Sequence, residues 1–290
     1  ALMEADITWN DLGFQNRPSQ VVVQPTDPNE STSGQMFAGL IGNTMNCLDV
    51  VDDSSVAAIL PGIHEYFGRV GYMPPSSATL FNSYMAQGEG SYPLVSLLES
   101  QIIESLAENP EMVEQVQDEI RILYPEPTVW LTNPMIALSD EGRTLVEAML
   151  DPEIQAMGWP AMGFRPSVPG VRIDLSTVPI SGLKEDITSV LNLPANPILD
   201  QILNAARLEY VPDPNAPPRR DCDAENASIT TPVDRAPGPQ GTRHYAPSPG
   251  DVLARAARLP QPAARSAMDR PHRGRRSGGR RCSPRASPRQ

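Results

Sequence analysis

The composition changes abruptly near Val211, and that break limits where a folded core can be built. Residues 1–210 carry 8 Lys and Arg against 28 Asp and Glu, a net charge of -20, whereas residues 211–290 carry 15 against 7, a net of +8. The second part reads Val211-Pro-Asp-Pro-Asn-Ala-Pro-Pro-Arg-Arg220 and later Arg273-Gly-Arg-Arg-Ser-Gly-Gly-Arg-Arg281. Such a stretch has too few large aliphatics to offset the entropy of ordering it. Residues 211–290 are therefore predicted to be a disordered tail, with only Val252 to Leu259 hinting at a short helix. Its arginines can attract nucleic acid by charge alone. With Tyr245 as its one aromatic and no folded module beside it, no specific nucleic-acid partner is expected.

The first 210 residues have apolar periodicity and can bury a core. Val21-Val-Val23 reads as a strand and residues 33–48 as a helix with an apolar face at Met36, Phe37, Leu40 and Ile41. Asp52 to Ser55 offer caps for a helix through Ala57, Ile59 and Leu60 that Pro61 restarts or kinks. Ser76 and Ser77 cap another, stopped at Gly88. Leu94–Leu98 has a short buried-strand pattern, followed by helix around Gln101–Leu106 and another opened by Asn109-Pro110. Ile120–Tyr124 reads as a strand cut by Pro125 and Pro127, and Val129–Leu131 as extended. Ser139 and Asp151-Pro152 start two more helices, the second broken at Gly163, and residues 184–191 and 196–209 carry the last two. Strands alternating with helices predict an α/β fold, a mixed and partly parallel sheet flanked by helices.

The polar turn Thr26-Asp-Pro-Asn-Glu-Ser-Thr-Ser-Gly34 leads directly into the first helix. A helix start leaves backbone N–H groups without intrahelical partners and carries the positive end of the helix dipole. With the hydroxyls of Ser31, Thr32 and Ser33 beside them, those amides form a candidate anion or polar-ligand site. The same residues also serve as an ordinary N-cap. Glu99, directly after Leu94–Leu98, stands where a strand should end, the usual side for ligands in open α/β sheets. It also suits a helix N-terminus.

Other chemistries find no support. The chain has neither G-x-S-x-G nor G-x-x-x-x-G-K-[ST], and Gly88-Glu-Gly90 reads as a loop. Of three histidines only His64 lies in the acidic part, on an amphipathic helix without a triad partner. The cysteines, Cys47, Cys222 and Cys282, are odd in number and lack C-x-x-C spacing. Neither a disulfide framework nor a zinc site is expected, and Cys47 reads as a small apolar helix residue. No cofactor or metal is predicted. No apolar run approaches the roughly 20 residues of a membrane span. No signal peptide is visible, and the start at Ala1 reads as a processed or truncated product.

Several segments share an order. They are Trp9-Asn-Asp-Leu-Gly13; Thr26-Asp-Pro28 with Ser33-Gly34; Gly71-Tyr72 with Ser76-Ser77 and Leu80-Phe81; and Leu98-Glu-Ser-Gln101. After them come Leu123-Tyr-Pro-Glu-Pro-Thr128, Asn133-Pro-Met-Ile136, Leu138-Ser-Asp-Glu-Gly142, and Asp151-Pro-Glu-Ile-Gln155 through Gly163-Phe-Arg165. In this order residues 7–208 resemble a bacterial extracellular solute-binding protein, the capture subunit of an ABC-type importer. The resemblance implies two periplasmic-binding-protein-like α/β lobes closing on a small polar or anionic solute, a permease partner, a periplasmic or extracellular location, and no enzymatic activity. It implies an opening strand or crossover at 1–13, the second, ligand-binding lobe at 14–128, and a crossover with C-terminal helices at 129–210. Most of a first lobe would be missing, so Leu145, Met149 and Trp159 on the returning helices are expected to be exposed.

On this resemblance the ligand-binding residues are Thr26, Asp27, Ser31, Thr32, Ser33, Gly34, Glu99 and Tyr124, with an oxyanion favoured by the Ser-Gly helix start. The net charge of -20 opposes long-range capture of anions. Leu98 stands where the family has Tyr, and Asn133 where His is common. The alternatives are a truncated, non-binding remnant with a basic tail, or an α/β enzyme using Glu99 or Asp27 as acid/base.

Overall fold

Ser31 is extended (φ -135°, ψ 139°), and its Oγ accepts a hydrogen bond from the Gly34 amide at 3.0 Å, which starts helix α1, Thr32–Met45. The computed structural model describes residues 7–14, 19–87 and 92–222. All of these belong to one compact unit, residues 1–240; the second unit, residues 241–290, lies outside the described residues, as does Gly88-Glu-Gly90.

Helices α1, α2 (Val56–Val70) and α8 (Asn196–Ala205) form the main core. Phe37 of α1, Ile59, Ile63 and Phe67 of α2, and Ile198 and Ile202 of α8 are all buried there. Pro61 lies inside α2 without ending it. Helix α3 (Ser77–Gln87) buries Leu80 and Phe81 and lies against α4 (Glu99–Glu108). A 3-10 turn at Pro110–Met112 leads into α5, Val113–Glu119.

A second, smaller core lies between α4 and α7 (Pro152–Met162), around Ile103, Trp159 and Val178. Asp151 caps α7 by accepting from the amides of Glu153 and Ile154. Gly163 ends it in the left-handed region (φ 68°): the Gly163 amide donates to Trp159 O and the Phe164 amide to Gly158 O, the usual left-handed helix stop. Helix α6 (Asp140–Met149), capped by Ser139, buries none of its residues. Leu145 (55%) and Met149 (37%) are exposed as expected, but Trp159 is 1% exposed, because α4 and Arg165 cover it.

The expected α/β fold is overturned. Of the described residues 46% are helical and 3% make a bridge, and none lies in a strand or sheet. Pairing is limited to single bridges, Thr8 with Gln20, Gln24 with Val95, and Thr128 with Val190, and among the described residues the Ile120–Tyr124 run makes none. Gln24 donates to Leu94 O and accepts from the Ser96 amide, both at 2.9 Å, and there the ladder stops. The residues around it explain why. Pro25, Pro93, Pro125 and Pro127 each remove a donor that a ladder would need.

The helix expected at 184–191 is absent as well. Thr128 instead donates to Ser189 O and accepts from the Leu191 amide, holding that stretch extended. Its run of β-branched residues, Ile187, Thr188 and Val190, disfavours a helix.

Two corrections concern the end of the acidic part. Cys47 is not a free helix residue: it follows α1 at positive φ (59°), as does Leu48 (67°), and forms a disulfide with Cys222. A sequence separation of 175 gives no hint of such a pair. Residues 211–222, read as the start of the tail, lie on the helical body through Arg219, Arg220 and Cys222. The remainder of the predicted tail, from residue 223, lies outside the described residues.

Candidate functional site

The predicted residues separate into two groups. At the start of α1, Thr26 is 1% exposed, and its Oγ1 lies 2.5 Å from Ser31 Oγ and 2.9 Å from Ser33 Oγ. Ser31 and Ser33 Oγ are 3.0 Å apart, which closes a triangle of hydroxyls. Asp27 accepts from the Asn29 amide at 2.8 Å, an Asx turn that braces the loop. Gly34 permits the close approach here: a Cβ on it would lie 2.6 Å from Thr26 O and 2.7 Å from Asp27 O. The Gly34 amide and the hydroxyls expected to grip an oxyanion thus bind one another, while Thr32 points out exposed. The geometry is that of a well-made N-cap.

The second group joins residues far apart in sequence. Glu99 opens α4, where a carboxylate suits the helix dipole. Arg165 grips it in two places, Nε to Oε1 at 2.5 Å and Nη2 to Oε2 at 3.0 Å, and the Tyr124 hydroxyl donates to Oε2 at 2.5 Å. Bidentate pairs of this kind are the stronger charge-assisted bonds. Arg165 also donates to the carbonyls of Lys184 (2.6 Å) and Glu185 (2.8 Å). Its guanidinium stacks 5.2 Å from the Trp159 ring centre and 5.9 Å from that of Trp130. The Lys184 ammonium stands 5.8 Å over the Tyr124 ring and pairs with Glu126.

Sequence reasoning singled out Glu99 and Tyr124 separately, and the fold brings them together. It passed over Arg165, Lys184, Trp130 and Trp159 as site residues. A signal for Arg165 existed: it is one of only 8 cations among residues 1–210, and it directly follows a helix stop. Beside Tyr124, a recess lined by Glu126, Lys184, Thr188 and Ser189 holds about 20 Å³, room for roughly one water molecule. Among the described residues no group of three or more His, Cys, Asp or Glu could hold a metal ion, and no helix is long and apolar enough to cross a membrane. His64 Nδ1 lies 3.3 Å from Ala205 O and its ring packs near Tyr210, a structural arrangement.

No family model, curated protein or solved structure matches the chain.

Burial pushes the Tyr124 hydroxyl up to about 12, and the hydrogen bond to Glu99 and the charge of that carboxylate add to the shift. An unfolded tyrosine titrates near 10.0. The folded state thus holds this proton more tightly, and the stability it contributes is complete below pH 10 and lost as pH rises towards 12. Tyr66, raised by burial, acts in the same direction. Urea unfolding of Tyr124→Phe between pH 9 and 12 is expected to show a shallower fall in stability than wild type. Identical slopes would separate the hydroxyl from Glu99.

Proposed function

We propose that the chain is an extracytoplasmic solute-binding subunit of an ABC importer that holds a small polar or anionic solute beside Tyr124 and Lys184. The observation that carries this reading is the Glu99–Tyr124–Arg165 network, with Lys184 at its rim. It is a fixed set of donors and charges next to a polar recess. The order of the sequence motifs supports it, and so does the Cys47–Cys222 disulfide, a bond that persists in oxidising compartments. The recess is far smaller than the roughly 300 Å³ at which ligand pockets begin, so a second surface has to close over the solute. No covalent step is required, and the groups named act by binding alone.

The test is thermal unfolding of the full chain against a panel of anions, sugars and amino acids. A solute at about 100 times its dissociation constant adds about 2.7 kcal/mol, a rise of roughly 5–10 °C. A flat melting temperature across the panel would overturn the reading. One observation favours a second reading, a body that binds no solute by itself: the hydroxyls of Thr26, Ser31 and Ser33 are turned on one another, and the recess takes only a water. On that reading the activity resides in the basic residues 211–290. A flat panel together with steeply salt-dependent DNA binding would favour it.

A further inference from the structure

Residues 211–222 contain Pro212, Pro214, Pro217 and Pro218, and none of the twelve is buried. Nothing in this stretch reaches either core. Two of its arginines touch the helical body. Arg219 lies along Gly62 of α2, its guanidinium 3.6 Å from where a Cβ would stand. Arg220 Nη1 donates to Asp49 Oδ2 at 2.7 Å and reaches Asn46 O at 3.5 Å. The Arg220–Asp49 pair is open to water on both sides, 42% and 67% exposed, and such pairs hold little.

The covalent attachment is of a different order. Cys47 belongs to the C-terminal turn of α1, where the Leu48 amide donates to Asn43 O at 2.8 Å and the Asn46 amide to Gly42 O. Asn43 is itself fully buried and accepts from the Val51 amide. Cys47 thus sits on a turn tied to the core through Asn43, while Cys222 lies in a strap with no core residue of its own. Both cysteines are partly exposed.

We propose that the Cys47–Cys222 bond is a redox-operated clasp that holds residues 211–222 on the helical body and lets them go when a dithiol reduces it. A dithiol thiolate attacks one sulfur, the Cys47–Cys222 bond breaks, and a mixed disulfide forms. The second thiol of the reagent then displaces the protein sulfur. The reagent leaves as its own disulfide, and its two electrons and two protons remain on Cys47 and Cys222 as thiols. The asymmetry of the anchorage makes the Cys222 side the one that moves, while the α1 turn keeps its backbone bonds.

The experiment uses the full chain, with and without dithiothreitol. Thiols are then alkylated, the reagent is removed, and trypsin cleavage after Arg219 and Arg220 is followed by mass spectrometry. Reduction is expected to speed cleavage there at least about tenfold, in proportion to the open strap, while the cooperative thermal unfolding of the helices persists. Cys222→Ser should cleave at the fast rate without reductant, and Cys282→Ser should behave as wild type. Unchanged cleavage after reduction overturns the clasp. So does loss of the cooperative transition along with the strap, because the bond would then hold the whole body. Recovery of Cys47 joined to Cys282 in the oxidised protein overturns it too.

Discussion

Arg165→Met is expected to lower stability by about 3 kcal/mol, read as a fall in the urea midpoint at constant slope. The substitution removes both bonds to Glu99, whose side chain is 19% exposed, and the donors to the Lys184 and Glu185 carbonyls. It leaves the carboxylate with the Tyr124 hydroxyl alone among those partners. Most of the loss comes from a half-buried charge left without its cation, not from the net worth of the pair. The double variant Glu99→Gln, Arg165→Met should therefore recover a large part of the loss, and the cycle between them measures the coupling. A single substitution costing under about 1 kcal/mol would place the pair among ordinary surface ion pairs.

Gly163→Ala should have an effect of similar size for a different reason. At φ 68° a side chain is strained, and the added Cβ would lie 2.5 Å from Ser100 Cα, in the backbone of α4. Left-handed strain of about 1–2 kcal/mol and overpacking of about 1–3 kcal/mol give a loss near 3 kcal/mol. Gly170 supplies the control. It also has positive φ (86°), but a Cβ there meets nothing within 4 Å, so Gly170→Ala should show the strain alone. Equal losses at the two positions would mean that α7 does not sit on α4 as described.

Apart from the helix expected at 184–191, the helices were legible in the sequence because their signals are local. Ser31, Ser139 and Asp151 cap the helices they were expected to cap, and Gly163 stops α7. The sheet was misread because an extended run was taken as a paired one. Val21–Val23 has β-branched residues, but pairing is a property of two segments, and prolines 25 and 93 limit Gln24 and Val95 to a single bridge. The candidate site was half legible for the same reason. Glu99 and Tyr124 stand out by position and bond directly, but the guanidinium that grips the carboxylate belongs to Arg165, 66 residues beyond Glu99 and passed over at a helix break. The hydroxyls of Ser31, Thr32 and Ser33 were read both as a helix cap and as part of a ligand site; Ser31 caps α1, and its hydroxyl and that of Ser33 bond Thr26.

The exposed apolar side chains between residues 130 and 164 give the protein a handling property. Met135, Met149, Met157 and Met162 lie in a stretch that also leaves Ile136 and Leu138 more than three-quarters exposed. A greasy surface of this kind limits solubility. Peroxide turns exposed thioethers into polar sulfoxides. Gentle oxidation should thus act on this chain as a solubiliser and reduce light scattering at high concentration, the opposite of its effect where methionines are packed inside.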